Sequence, residues 1–86
     1  MINDGESLTD EYPMGFRRYS DYRYFVSRLE NDPDFESVPV EQGRYINVGF
    51  VERWFRHKPT QQVYRLVEPD APYPGSWTTV RQQGDY

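Results

Sequence analysis

Fifteen aromatic side chains, contributed by two Trp, eight Tyr and five Phe, sit in a chain of only 86 residues, and they decide what kind of interior is open to it. A chain this short buries only about 60–65% of the surface its unfolded form exposes, so an ordinary aliphatic core would leave it marginal. Hydrophobic residues make up 36% of the sequence, and mean hydropathy is −0.97. Rings compensate, because each can remove roughly 150–250 Å² from water. The expectation is one ordered domain whose core is built mainly from aromatics.

The chain contains no cysteine. That removes disulfides, thiolate metal sites and a cysteine nucleophile. Small secreted domains commonly depend on disulfides, so a cytoplasmic location is expected. The opening residues Met1–Glu6 are acidic and lack the apolar stretch of a signal peptide. No apolar run approaches the roughly 20 residues that span a bilayer, so membrane insertion is not expected.

Periodicity supplies one helix. Tyr22, Phe25, Val26 and Leu29 recur at the spacing of a helical face, and the pattern predicts a helix over 20–31. Ser20 is placed to cap it, Asp21 suits its first turn, and Asn31, Asp32 and Pro33 stop it. Downstream, a helix over 44–57 would place Tyr45, Val48, Val51 and Phe55 on one side, but its β-branched residues and Gly49 favour a strand, and 62–68 reads as a second. Lys58, Pro59 and Thr60 join them as a three-residue hairpin loop. That loop length sets Phe55 against Val63, Trp54 against Tyr64 and Arg53 against Arg65. Residues 77–80 form a last short strand, preceded by a rigid turn or polyproline segment at 69–76. Between helix and hairpin, 32–43 reads as a connector with a short extended piece near 38–40; Pro39 argues against a central strand there. Residues 1–14 read as a flexible acidic arm that Tyr12 and Met14 tack onto the body, 15–81 as the domain, and 82–86 as a polar tail. The fold class is α+β: one N-terminal helix packed on a small antiparallel sheet of three to four strands, with an SH3-like barrel as its closed variant.

Charge is unevenly spread. Residues 1–42 carry ten acids against four arginines, and residues 43–86 carry six bases against four acids, within a total of −4. Nine of the ten bases are arginine, the residue that makes planar, bidentate and ring-stacking contacts. Catalytic chemistry finds little support. The sole histidine, His57, lies beside the hairpin turn with nothing to mark a partner nucleophile. The acids Glu30, Asp32, Asp34 and Glu36 lack the spacing of a calcium loop, and no phosphate-cradling glycine loop occurs. No enzymatic activity, cofactor or metal site is expected.

What remains is a cluster that suits binding. Arg53, Trp54, Arg56, Tyr64 and Arg65 gather on the hairpin, and Tyr73 and Trp77 flank the proline-rich turn. Trp, Tyr and Arg dominate protein interfaces. Two arginines opposed across a hairpin repel unless an acid lies between them; Glu52, Glu68 or the acidic N-terminal half can supply it, or else an acidic group of a partner. The expectation is a small protein-interaction module, an accessory or regulatory subunit whose partner is another protein. Single-stranded nucleic acid is the alternative partner, opposed by a pI near 4.8, and pairing of the 77–80 edge with a second copy would give a homodimer.

The run from Val51 to His57, followed by 63–70 and by Pro74, Gly75, Ser76 and Trp77, resembles small uncharacterised cyanobacterial proteins that carry a similar aromatic hairpin and proline-rich turn. The likeness covers residues 51–77 and includes no catalytic motif. It implies an accessory factor bound to a larger, photosynthetic assembly.

Overall fold

The helical periodicity of Tyr22, Phe25 and Leu29 becomes an actual buried stripe. In the computed structural model, which describes residues 8–40 and 49–80, helix α1 spans Tyr19–Glu30 and buries those three side chains. Arg18, not Ser20, occupies the N-cap position, with extended backbone and no side-chain capping bond; Ser20 lies inside the first turn. At the other end Asn31 donates its backbone N–H to Ser27 and its side-chain amide to the same carbonyl at 2.8 Å. The Asp32 carboxylate then accepts the Asp34 N–H at 2.9 Å, an Asx turn that redirects the chain ahead of the sheet.

Four strands follow among the described residues: β1 (Phe35–Val38), β2 (Glu52–His57), β3 (Gln62–Val67) and β4 (Ser76–Thr79). All neighbours are antiparallel and the spatial order is β1-β2-β3-β4. The sheet is therefore an open meander, with β1 and β4 at its two ends, and the SH3-like closure is not adopted. Strand β1 lies within the segment read as a connector. Its Phe35 is buried, and it stops one residue before Pro39, which lacks the N–H a continuing ladder would need. The upstream part of the first hairpin strand, 44–48, lies outside the described residues, as do 1–7 and 81–86.

The hairpin register differs from the expectation by one position. Trp54 pairs with Arg65, Phe55 with Tyr64 and Arg53 with Leu66. The loop has four residues, Lys58 to Gln61, because Gln61 takes a left-handed conformation at φ 64 and its N–H reaches the His57 carbonyl at 2.7 Å. A shift of one residue moves one strand's side chains to the opposite face. Arg53 and Arg65 consequently lie on opposite faces of the sheet and do not oppose each other.

One face carries Phe35, Phe55, Tyr64, Leu66 and Trp77, and α1 packs over it, so these residues join Phe25 and Leu29 in a single buried cluster. Trp77 sits at its centre, stacked on Tyr64 with centroids 4.8 Å apart and edge-on to Phe25 at 5.0 Å. On the second face Trp54, Val67 and Val80 are buried.

Residues 8–16 belong to this architecture. Leu8 is part of the core cluster, and the Trp77 indole N–H donates to the Leu8 carbonyl at 2.9 Å. Tyr12 exchanges two backbone hydrogen bonds with Trp77, at 2.7 and 3.1 Å, and the Glu11 carboxylate accepts the Thr79 N–H at 2.7 Å. The outer edge of β4 is thus covered by the chain's own N-terminal segment, so the edge expected to pair with a second copy is occupied. Tyr12 does tack the segment down, whereas Met14 is exposed. The 69–76 segment is a turn: Asp70 and Tyr73 exchange reciprocal backbone bonds of 2.9 Å around a cis Ala71–Pro72 peptide.

Candidate functional site

The residues picked out on the hairpin divide sharply by exposure. Trp54 is 3% exposed, Tyr64 5% and Trp77 0%. These three, expected among the contact residues, are interior groups with little side-chain surface left for a partner. Trp77 and Tyr64 form the stack under α1. Trp54 lies on the second face, where its indole N–H donates to Glu52 at 2.6 Å.

The hairpin arginines are exposed to differing degrees, and each meets a carboxylate of this chain. Arg65 donates its Nε to the same Glu52 oxygen at 2.5 Å; with side-chain exposures of 15% and 8% this pair is largely withdrawn from water. Arg56 bonds Glu36 through its Nε at 2.7 Å, across the β1–β2 pairing. Arg53 lies over the Phe55 ring at 4.9 Å and approaches Glu30 of α1 at 3.5 Å, an exposed contact of about 0–1 kcal/mol. Glu30 and Glu36 come from the acidic half of the sequence and Arg53 and Arg56 from the basic half. Two of the contacts thus join the acidic half to the basic half, and the like-charge argument for an acidic partner at Arg53 and Arg65 falls away with the register.

A different surface emerges beside Tyr73. The start of α1 and the proline-rich turn face one another across a groove of about 280 Å³, with Arg17, Arg18 and Tyr19 on one wall and Pro72, Tyr73 and Pro74 on the other. The walls are tied together at the base, where the Phe16 N–H donates to the Pro74 carbonyl at 2.9 Å. Gly15 permits this approach: it sits at φ 79, and a Cβ there would overlap the carbonyl oxygens of Pro74 and Gly75. Tyr73 is fixed further by its hydroxyl against Ser76 at 3.2 Å and by Phe50, whose ring centroid lies 4.6 Å away. Phe50 and Tyr19 are both exposed; Tyr19 lines the groove, and Phe50 extends the aromatic surface from Tyr73. Of the predicted contact residues, Tyr73 alone belongs to this groove. Arg17, Arg18 and Tyr19 carried no signal in the sequence, because their significance comes from a turn more than fifty positions away.

A second depression lies between α1 and the end of β3, bordered by Tyr19, Tyr22, Arg23, Glu30 and Glu68. The Tyr19 hydroxyl donates to Glu68 at 3.0 Å, and that hydrogen bond raises its pKa. Burial, followed by the charge of Glu68, pushes Tyr22 up to about 12. Because the folded state holds Tyr22 neutral above the ordinary value of 10.0, its contribution is complete below pH 10 and is lost as pH rises toward 12. Thermal melts across that alkaline window are expected to show a falling Tm in the parent chain and a shallower fall in Tyr22→Phe, which has no phenol to ionise at this site. Equal slopes would mean that Tyr22 titrates as freely in the folded state as in the unfolded one.

Among the described residues no group of three or more His, Asp or Glu side chains is arranged to hold a metal ion, and no helix is long and apolar enough to cross a membrane. Fold and surface together define a small α+β domain with a four-stranded meander, one covering helix and an arginine-rimmed aromatic groove. In comparisons with protein-family models, curated proteins and solved structures, nothing matches this chain.

Proposed function

We propose that this chain is a non-enzymatic protein-interaction module of the cytoplasm, an accessory or regulatory subunit of a larger assembly, and that it docks through the groove and aromatic surface around Tyr19 and Tyr73. The observation that carries this reading is the meeting of exposed Tyr19 with Tyr73 and two arginines across a groove built on tied backbone. Tyrosine and arginine supply large contact areas with directed polar ends, and a prearranged surface loses little entropy on docking. The hairpin, with its rings interior and its arginines matched to carboxylates, serves as the scaffold for that surface. The photosynthetic setting of that assembly is proposed on the resemblance over 51–77 alone.

Affinity purification of the tagged full chain from its native host tests the proposal. A defined partner is expected with the parent chain and is expected to disappear with the double variant Tyr19→Ala/Tyr73→Ala, whose circular dichroism and Tm should stay near those of the parent. A parent chain that elutes alone, or a folded double variant that keeps every partner, would sink the reading. Single-stranded nucleic acid draws on the same rings and arginines, since base stacking on an aromatic contributes about 1–3 kcal/mol. It is the weaker reading because the chain is acidic overall and the additional rings of the hairpin are interior.

A further inference from the structure

We infer that the groove between the start of α1 and the proline-rich turn binds an extended acidic peptide, one that places an apolar or proline residue between the rings and carboxylates on Arg17 and Arg18. This rests on the interaction-module reading and names the chemistry of its partner.

Charge is the first argument. The chain carries −4 overall, yet among the described residues the charged groups lining this groove are Arg17 and Arg18, with no carboxylate. The arginines of the sheet behave differently, since Arg53, Arg56 and Arg65 each meet a glutamate of this chain. Arg17 is exposed and has no ion pair among the described residues. Among the described residues Arg18 approaches Asp21 alone, at 3.5 Å, with two thirds of its side chain in water. Two cations rimming a groove on an acidic protein favour a short ligand with a few carboxylates. A long polyanion would in addition meet the field of the surrounding acids, which extends about 8–10 Å at ordinary ionic strength.

Shape is the second. Tyr19, Tyr73 and the prolines of the turn present flat apolar surfaces, the kind of lining that receives extended, proline-containing segments. At about 280 Å³ the space is below the usual range of small-molecule cavities, about 300–1,000 Å³, and it suits a few side chains of a peptide crossing the surface. The walls are set before any ligand arrives, by the Phe16–Pro74 bond and the reciprocal Asp70–Tyr73 pair, which limits the ordering cost of binding.

Fluorescence anisotropy with the full chain and a fluorescein-labelled heptapeptide, two glutamates flanking Pro-Leu-Pro on each side, tests the inference. The control peptide replaces every glutamate with lysine. The acidic probe is expected to bind with a Kd below about 1 mM, to weaken as salt is raised, and to bind at least about tenfold more tightly than the lysine probe. Arg17→Glu removes no ion pair among the described residues and is expected to weaken the acidic probe by about tenfold or more; Tyr73→Ala is expected to weaken both probes. The inference is overturned if the acidic probe does not bind, if both probes bind equally, if Arg17→Glu leaves binding unchanged, or if an oligothymidylate binds the groove more tightly. Failure of the peptide alongside loss of the host partner in Tyr19→Ala/Tyr73→Ala would overturn the acidic-peptide inference while leaving the interaction module standing.

Discussion

Trp77→Ala is expected to leave the chain largely unfolded at room temperature. The indole is completely enclosed: Tyr64 stacks on it, Phe25 meets its face edge-on, and Phe35 and Phe55 close the sides at 6.1 and 6.2 Å. Removing a buried tryptophan costs about 3–5 kcal/mol through lost transfer energy and the cavity left behind. The same change strips the Leu8 carbonyl of its indole donor, adding about 1 kcal/mol. A chain of this length lies toward the lower end of the usual 5–15 kcal/mol of domain stability, so little remains. Trp77→Phe keeps a ring but not the N–H, and is expected to fold with a clearly lowered midpoint. Urea titration followed by circular dichroism measures both. A Trp77→Ala variant with a near-parental midpoint would contradict the central position assigned to this ring.

Gly15→Ala is expected to cost about 2–4 kcal/mol, far more than adding one methyl group usually does. Two effects combine. The backbone is at φ 79, where a side chain is strained by about 1–3 kcal/mol, and the new Cβ would overlap two carbonyl oxygens of the proline-rich turn. Those oxygens are main-chain atoms and cannot swing aside as a flexible side chain would. Gly49 supplies the control. It has a similar φ of 85, but a Cβ there meets nothing within 4 Å among the described residues, so Gly49→Ala should lose only the same conformational strain of about 1–3 kcal/mol. Comparable losses for the two variants would show that conformation alone, not the close approach to Pro74, constrains residue 15. Because the Gly15 contact also spaces the groove walls, Gly15→Ala should weaken ligand capture even under conditions where the chain remains folded.

The sequence made some of this legible and hid the rest for physical reasons. The helix was readable because Tyr22, Phe25 and Leu29 repeat at its own period, and the hairpin because two β-rich runs flank Lys58 and Pro59. The hairpin register was not. It depends on whether Gln61 belongs to the loop, and glutamine gives no hint that it will adopt a positive φ. That single residue turned an imagined Arg53–Arg65 repulsion into two arginines on separate faces, each with its own glutamate. The extended piece read near 38–40 is strand β1, which lies earlier, at Phe35–Val38; four residues are too few to show a period. The anchoring role of Tyr12 was legible as an aromatic at the end of a polar arm, but the docking of Leu8 was hidden, since it depends on Trp77 at the far end of the described chain. The candidate groove shares this character: Tyr73 was visible as an aromatic in a proline turn, but its neighbours Arg17 and Tyr19 become relevant only once the fold brings them alongside.

The two tryptophans of the chain stand on opposite faces of the sheet, Trp77 beneath the helix and Trp54 on the other side, and this provides a spectroscopic division of labour. Trp54→Phe would leave an emission signal from the helix-covered interior alone, and Trp77→Phe one from the opposite face alone. Each spectrum should be blue-shifted while its own face is intact and should move to the red as water enters. If the two midpoints coincide with that of the far-ultraviolet signal in each variant, the sheet melts as one cooperative unit. If the Trp54 signal moves first, the second face opens on its own while the ring cluster under α1 still holds.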